Sequence, residues 1–279
     1  MRLDELRSST NVDDRRGAFG GYGPHLAIGG GGLGFVALLV LSLVFGVNPS
    51  QLLSGGDTGA PVAQQPVSPS GDASSQLARK IVGSAEDVWN PLLGQRGVAF
   101  TPATLTLYDY ETPTACGEGQ SSAGPFYCPE DNRIYLDLSF FEELSQRFGA
   151  PGQFAQAYVI AHEYGHHIQN LLGVFDRHGG SGAGAEGQSV RRELQADCYA
   201  GVWAYHANAQ FQILQSGDVE GGLRAAAAVG DDTLEKETQG YVVPDSFTHG
   251  TSAQRVRWFK RGLEGGDMEA CDTFSAAPL

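Results

Sequence analysis

Residues 153–172 read QFAQAYVIAHEYGHHIQNLL. Apolar and small residues recur there at spacings of three and four: Phe154, Ala157, Tyr158, Ala161, Gly165, Ile168 and Leu172. That periodicity predicts an amphipathic helix over 153–172, and Gly173 supplies a C-cap. Inside it lies His162-Glu163-Tyr164-Gly165-His166, an HExxH pattern. Histidines at i and i+4 share one helix face, so both imidazoles can converge on one zinc ion. Glu163, next to the first, can reach a water activated by that ion and act as its general base. His167 is rotated by about 100° from His166 and faces elsewhere, and Tyr164 is expected to pack.

A catalytic zinc takes three protein ligands and keeps one position open. Glu193, on the next predicted helix (190–207), is the expected third ligand, with Glu186 in a Gly-rich loop as its competitor. Asp197 lies four residues after Glu193 on the same face, where it can accept the far N–H of a metal-bound histidine. A peptide carbonyl under attack also needs a hydrogen-bond donor for its oxyanion. His249, in Phe247-Thr248-His249-Gly250-Thr251, is the histidine freest to approach from a separate element, with Tyr241 as a weaker candidate.

Working outward, the 279 residues carry 32 acidic and 18 basic side chains, a net charge of -14. That excludes the clustered Lys and Arg of a nucleic-acid-binding protein and disfavours adhesion to anionic lipid. Residues 17–56 contain no Asp, Glu, Lys or Arg, and Leu26 to Val47 is apolar throughout apart from one Ser. A helix of that length spans roughly 33 Å, enough to cross a bilayer. Arg2, Arg7, Arg15 and Arg16 precede it, and no basic residue follows until Arg79. The positive-inside rule then predicts a cytoplasmic segment 1–25, a transmembrane helix 26–47, a Pro/Gly/Ser-rich stalk 48–75 and an extracytoplasmic domain 76–279. Gly30 and Gly34 form a GxxxG pair that suggests a weak homodimer through the membrane segment.

An exported domain permits disulfides. Cys116 and Cys128 flank a short loop and form the natural local pair, which leaves Cys198 with Cys271. Helices are expected over 79–93, 140–148, within 218–236 and over 252–263, and strands over 101–110 and 133–138. Few strands early and several helices late predict an α+β domain, mostly helical with a small sheet.

HEYGHH (162–167), ELQAD (193–197), FTHGTSAQRVRWFKRG (247–262) and GPFYCPEDNRIYLDLSFF (124–141) resemble the bacterial membrane-anchored neutral zinc metallopeptidase family over roughly residues 79–270. The wider pattern, HExxH with a downstream ExxxD, is similar to the gluzincin class. The resemblance implies a zincin-like fold, one zinc ion held by His162, His166 and Glu193, Glu163 as base, and peptide or protein substrates. Two other readings stay open at this level: a non-catalytic zinc-containing ectodomain that binds peptides or envelope partners, and an amidase acting on a non-protein amide. An intact Glu163 disfavours the first, since a purely structural site does not need that carboxylate.

Overall fold

The computed structural model describes residues 1–17, 72–180 and 182–279. The predicted membrane segment 26–47, its GxxxG pair and nearly all of the predicted stalk lie outside the described residues. Among the described residues no helix is long and apolar enough to cross a membrane.

In chain order the elements are β1 (Val12–Asp14), α1 (Ala73–Gly94), β2 (Thr104–Tyr108), β3 (Glu111–Thr114), β4 (Gly117–Gln120), β5 (Phe126–Cys128), β6 (Arg133–Asp137), α2 (Phe140–Gln146), α3 (Gln153–Leu171), α4 (Val174–Arg177), α5 (Gln188–Phe211), α6 (Asp218–Ala228), α7 (Asp231–Gln239) and α8 (Ser252–Gly265). This is the expected α+β class, helical with small sheets. The main sheet has the order β1-β2-β6-β5, and β3-β4 form a separate hairpin. β2 runs parallel to both β1 and β6, with Leu105 opposite Ile134 and Leu107 opposite Leu136, while β5 closes the sheet antiparallel to β6. Leu105, Leu107, Ile134 and Leu136 are all buried, as the alternation in RIYLDL predicts for one face.

The structure corrects two local expectations and extends a third. The loop between Cys116 and Cys128 contains β4 and β5, which the Gly/Ser-rich composition hid. The Ala-rich helix expected within 218–236 is α6, and a second helix, α7, follows it after a break at Val229-Gly230. Residues 1–17, read as part of a separate flank, fold as one compact unit with residues 72–279, and β1 is an edge strand of the main sheet.

Helix α3 runs through the core. Fourteen of its 19 residues are buried, including Phe154, Tyr158, Ile160, Tyr164 and Ile168. It packs on α1, α5 and α6. Gly165, between the two motif histidines, sets its distance from α5: a Cβ there would come 2.8 Å from the Ala196 carbonyl oxygen. Glycine inside a helix costs about 1 kcal/mol relative to alanine. Here it permits a backbone approach that brings Glu193 and Asp197 over the histidines. Gly173 follows α3 in the left-handed conformation (φ 68°), the expected C-cap.

Both expected disulfides are present, Cys116–Cys128 and Cys198–Cys271. The first ties the start of β4 to β5. The second fastens α5, one residue after Asp197, to the C-terminal segment.

Candidate metal centre and catalytic cleft

His162 and His166 project from α3 towards Glu193 on α5. Glu193 Oε2 lies 3.2 Å from His162 Nε2, and Oε1 lies 3.4 Å from His166 Nε2. Their candidate ligand atoms all lie within 4.8 Å of one another. The competitor Glu186 is 58% exposed and beside Arg191, outside this cluster. Glu163 is buried beside the same groups.

Each histidine is oriented through its far nitrogen. His162 Nδ1–H donates to Asp197 Oδ1 at 2.8 Å, and His166 Nδ1–H donates to Gln169 Oε1 at 2.8 Å. These bonds leave Nε2 of each ring as the inward-facing nitrogen; His162 Nε2 is within hydrogen-bond distance of Glu193 Oε2 and offers the cluster a lone pair once its proton is displaced. Two inward nitrogens and a carboxylate at 3.2–3.4 Å need a shared cation between them, either a proton on Nε2 or a metal ion in its place. Two imidazoles and one carboxylate are a donor set that suits zinc. The residues therefore fit the metal that the sequence motif implies.

Sequence reasoning missed the groups that hold Asp197. Arg255, in the first turn of α8, makes two hydrogen bonds to it, Nε–Oδ2 at 2.9 Å and Nη2–Oδ1 at 3.0 Å. The Tyr158 hydroxyl donates to Asp197 Oδ1 and accepts from Arg255 Nη2 at 3.2 Å. Asp197 is fully buried and Arg255 nearly so. Tyr158 is four residues before His162, a same-face spacing that could have flagged it. Gln169, three residues after His166, carried the same signal. Arg255 gave none, because its partners are 58 and 97 residues away. A capping box at Thr251 and Gln254 starts α8 and so sets the height of Arg255.

Gln169 extends a further chain. Its Nε2 donates to Arg192 O at 2.7 Å and to Gln195 Oε1 at 3.0 Å, and Gln195 Nε2 donates to Cys271 O at 3.0 Å. The orientation of His166 is thus linked to the Cys198–Cys271 disulfide.

The electrostatics are those of a buried, coupled cluster. Burial pushes the His162 pKa down, but the carboxylates of Asp197 and Glu193 outweigh it and raise the pKa to about 10. Burial also raises the Glu163 pKa, and the neighbouring imidazoles only partly offset this. Glu193 goes the other way: despite burial, His166 and His162 hold it well below the usual carboxylate range. His167 is a neutral structural residue. Burial lowers its pKa to about 4, Nε2 donates to Thr101 O at 2.6 Å, and Nδ1 accepts from the Tyr127 hydroxyl at 3.0 Å.

A cleft of about 640 Å³ opens over this cluster. Phe126, Phe140, Phe148, Phe175 and Leu234 give it an apolar wall, and His249 lines it together with Glu163 and Glu193. The Asp231 carboxylate holds the His249 loop. It accepts the backbone N–H of Thr248 (2.8 Å), His249 (2.6 Å) and Gly250 (2.9 Å), and lies 3.1 Å from His249 Nδ1. The hydrogen bond that His249 donates to Asp231 raises the His249 pKa against burial, with Glu193 adding to the rise. Tyr241 is 62% exposed and does not line the cleft. Tyr164 is buried in the core, as expected.

The chain belongs to the family described as "Putative neutral zinc metallopeptidase". That family's model matches residues 1–274. The chain is 44% identical over 288 residues to "Uncharacterized protein YpfJ" of Escherichia coli, covering 98% of this chain and 99% of the relative. It is 43% identical over 256 residues to "Uncharacterized protein Rv2575" of Mycobacterium tuberculosis, covering 82% of this chain and 86% of the relative. No solved structure matches it.

Proposed function

We propose that this neutral zinc metallopeptidase family member is an active zinc peptidase of zincin-like architecture that hydrolyses peptide bonds in the cleft over His162, His166 and Glu193. The supporting observation is the convergence of two Nε2 atoms and the Glu193 carboxylate on one point, with Glu163 buried alongside. His162, His166 and Glu193 would hold one zinc ion. When bound, zinc supplies a Lewis acid that acidifies water and polarises a carbonyl.

The remaining chemistry belongs to the chain's own side chains. Glu163 accepts a proton from the attacking water and delivers it to the leaving amine. Glu163 is buried beside both ligand imidazoles. Asp231 engages His249 Nδ1, so Nε2 is the nitrogen free to donate to the developing oxyanion. Asp197 and Gln169 keep the two ligand imidazoles in the required tautomer throughout. The aromatic wall binds apolar portions of a peptide substrate.

Glu163→Gln tests the reading. The variant should retain one equivalent of zinc and lose hydrolysis of a quenched peptide library by about 10²–10⁴-fold. Undiminished hydrolysis would remove Glu163 from the mechanism. A zinc-loaded wild type that binds the library but cleaves none of it would favour the non-catalytic ectodomain.

A further inference from the structure

Residues 1–17 do more than precede the domain. Val12, Asp13 and Asp14 pair in parallel register with Leu105, Thr106 and Leu107. Leu105 N donates to Asn11 O at 2.9 Å, and Arg15 N donates to Leu107 O at 2.8 Å. Leu6 and Ser9 are buried, and the N-terminal ammonium lies 3.0 Å from Asp218.

Helix α1 is shaped to receive this segment. A Cβ at Gly83 would come 2.4 Å from the Arg7 carbonyl oxygen, so the segment lies directly on that glycine. Glu86, three residues on, is only 5% exposed. Its carboxylate accepts from Arg7 Nη2 (2.7 Å), the Ser9 hydroxyl and Asn11 Nδ2 (2.8 Å), all three from the N-terminal segment. Without that segment a carboxylate would stand on the helix with none of these partners, beside a glycine with no reason to be small.

The same contacts account for three of the four arginines on which the membrane orientation rests. Arg7 pairs with Glu86 and Asp87, Arg16 with Asp14 and Asp72, and Arg15 with Asp13. They are charges of the folded domain. Adjacent strands lie about 4.8 Å apart, whereas a hydrocarbon core is about 30 Å thick. A single crossing between Gly17 and Asp72 would put the two partners of the β1-β2 pair on opposite faces of it.

We infer that residues 1–17 are an integral strand and clamp of the peptidase domain, and that they lie on the same side of any membrane as residues 72–279. A cytoplasmic N-terminus joined by one crossing to an extracytoplasmic domain is incompatible with the folded unit. The inference does not depend on the peptidase reading.

Two single-thiol variants of the full chain test it. Ser8 and Glu264 are exposed, and the four native cysteines are consumed in disulfides. Ser8→Cys and Glu264→Cys are each expressed in membranes of intact cells and treated with a membrane-impermeant maleimide, with lysed cells as the reactivity control. The two sites should label alike, both or neither. Labelling of residue 264 alone, or of residue 8 alone, would overturn the inference. Hydrogen exchange on the unmodified protein is the second measurement. The Leu105 and Arg15 amides should exchange at least 10²-fold more slowly than unstructured amides, and exchange at the unstructured rate would show that the β1-β2 pair does not form.

Discussion

Replacing Asp197 by Asn separates what its carboxylate does for the fold from what it does for the metal. The side chain keeps its shape and an oxygen for His162 Nδ1–H, but loses its charge. The Arg255 guanidinium is then left with 4% exposure and no counter-ion at 2.9–3.0 Å. Breaking a buried ion pair from one side costs roughly 3–5 kcal/mol, because the other charge stays buried. Metal-free protein should lose about that much in urea unfolding. Zinc affinity, read by competition with a chromophoric chelator, should fall about 10–100-fold, as when the partner of a ligand histidine is weakened. A double variant, Asp197→Asn with Arg255→Met, removes the stranded cation. It should recover most of the stability and none of the zinc affinity. Unchanged stability in the single variant, or full zinc affinity in the double, would refute this account of the Asp197 cluster.

His249→Ala should lower kcat by about 10²–10³-fold with zinc content and unfolding midpoint unchanged, and Asp231→Asn should move the alkaline limb of the kcat profile to lower pH because His249 holds its proton less tightly. Zinc affinity should rise with pH from 6.5 to 10, since binding displaces the proton that His162 keeps up to about pH 10. Over the same window, equilibrium unfolding should show the metal-free domain losing stability: a folded-state pKa raised above the unfolded value contributes fully below pH 6.5 and is lost as pH rises through 10, while the zinc-loaded form, with no such proton, stays level. Gln169→Ala should weaken zinc by about 10–100-fold in the same chelator competition, and reduction of Cys198–Cys271 should weaken it in the same direction through Gln195.

What the sequence could show follows from the range of each interaction. The helical period of 153–172, the i, i+4 histidines and the Glu193–Asp197 spacing are all local, and the structure brings these side chains together. Glu193 was separable from Glu186 because one sits on a helical face and the other in a Gly-rich loop. Asp231 and Arg255 were illegible for the opposite reason. Each is an ordinary charged residue in its own helix and gains a role only when the fold carries it to His249 or Asp197. The contacts of the N-terminal segment are illegible for the same reason. Its arginines fit a rule that counts charges beside an apolar stretch, and nothing local reveals that their partners are Glu86, Asp87 and Asp72.

The charge within the buried cluster connects these points. Glu163, Glu193 and Asp197 bring three carboxylates, and Arg255 returns one positive charge. Two negative charges remain when both histidines are neutral. A low-dielectric pocket does not tolerate that imbalance. A divalent cation on His162, His166 and Glu193 cancels it. Without one, protons must supply the difference, and the pocket shows where they would go: the pKa values of His162 and Glu163 are both raised. Arg255 follows from the same requirement. With a second cationic side chain beside it the metal-loaded site would carry net positive charge, and without Arg255 Asp197 would be an uncompensated buried anion. One arginine, three carboxylates and a dication form a neutral set, so removing any one of these charges singly leaves the metal-loaded site out of balance by at least one unit.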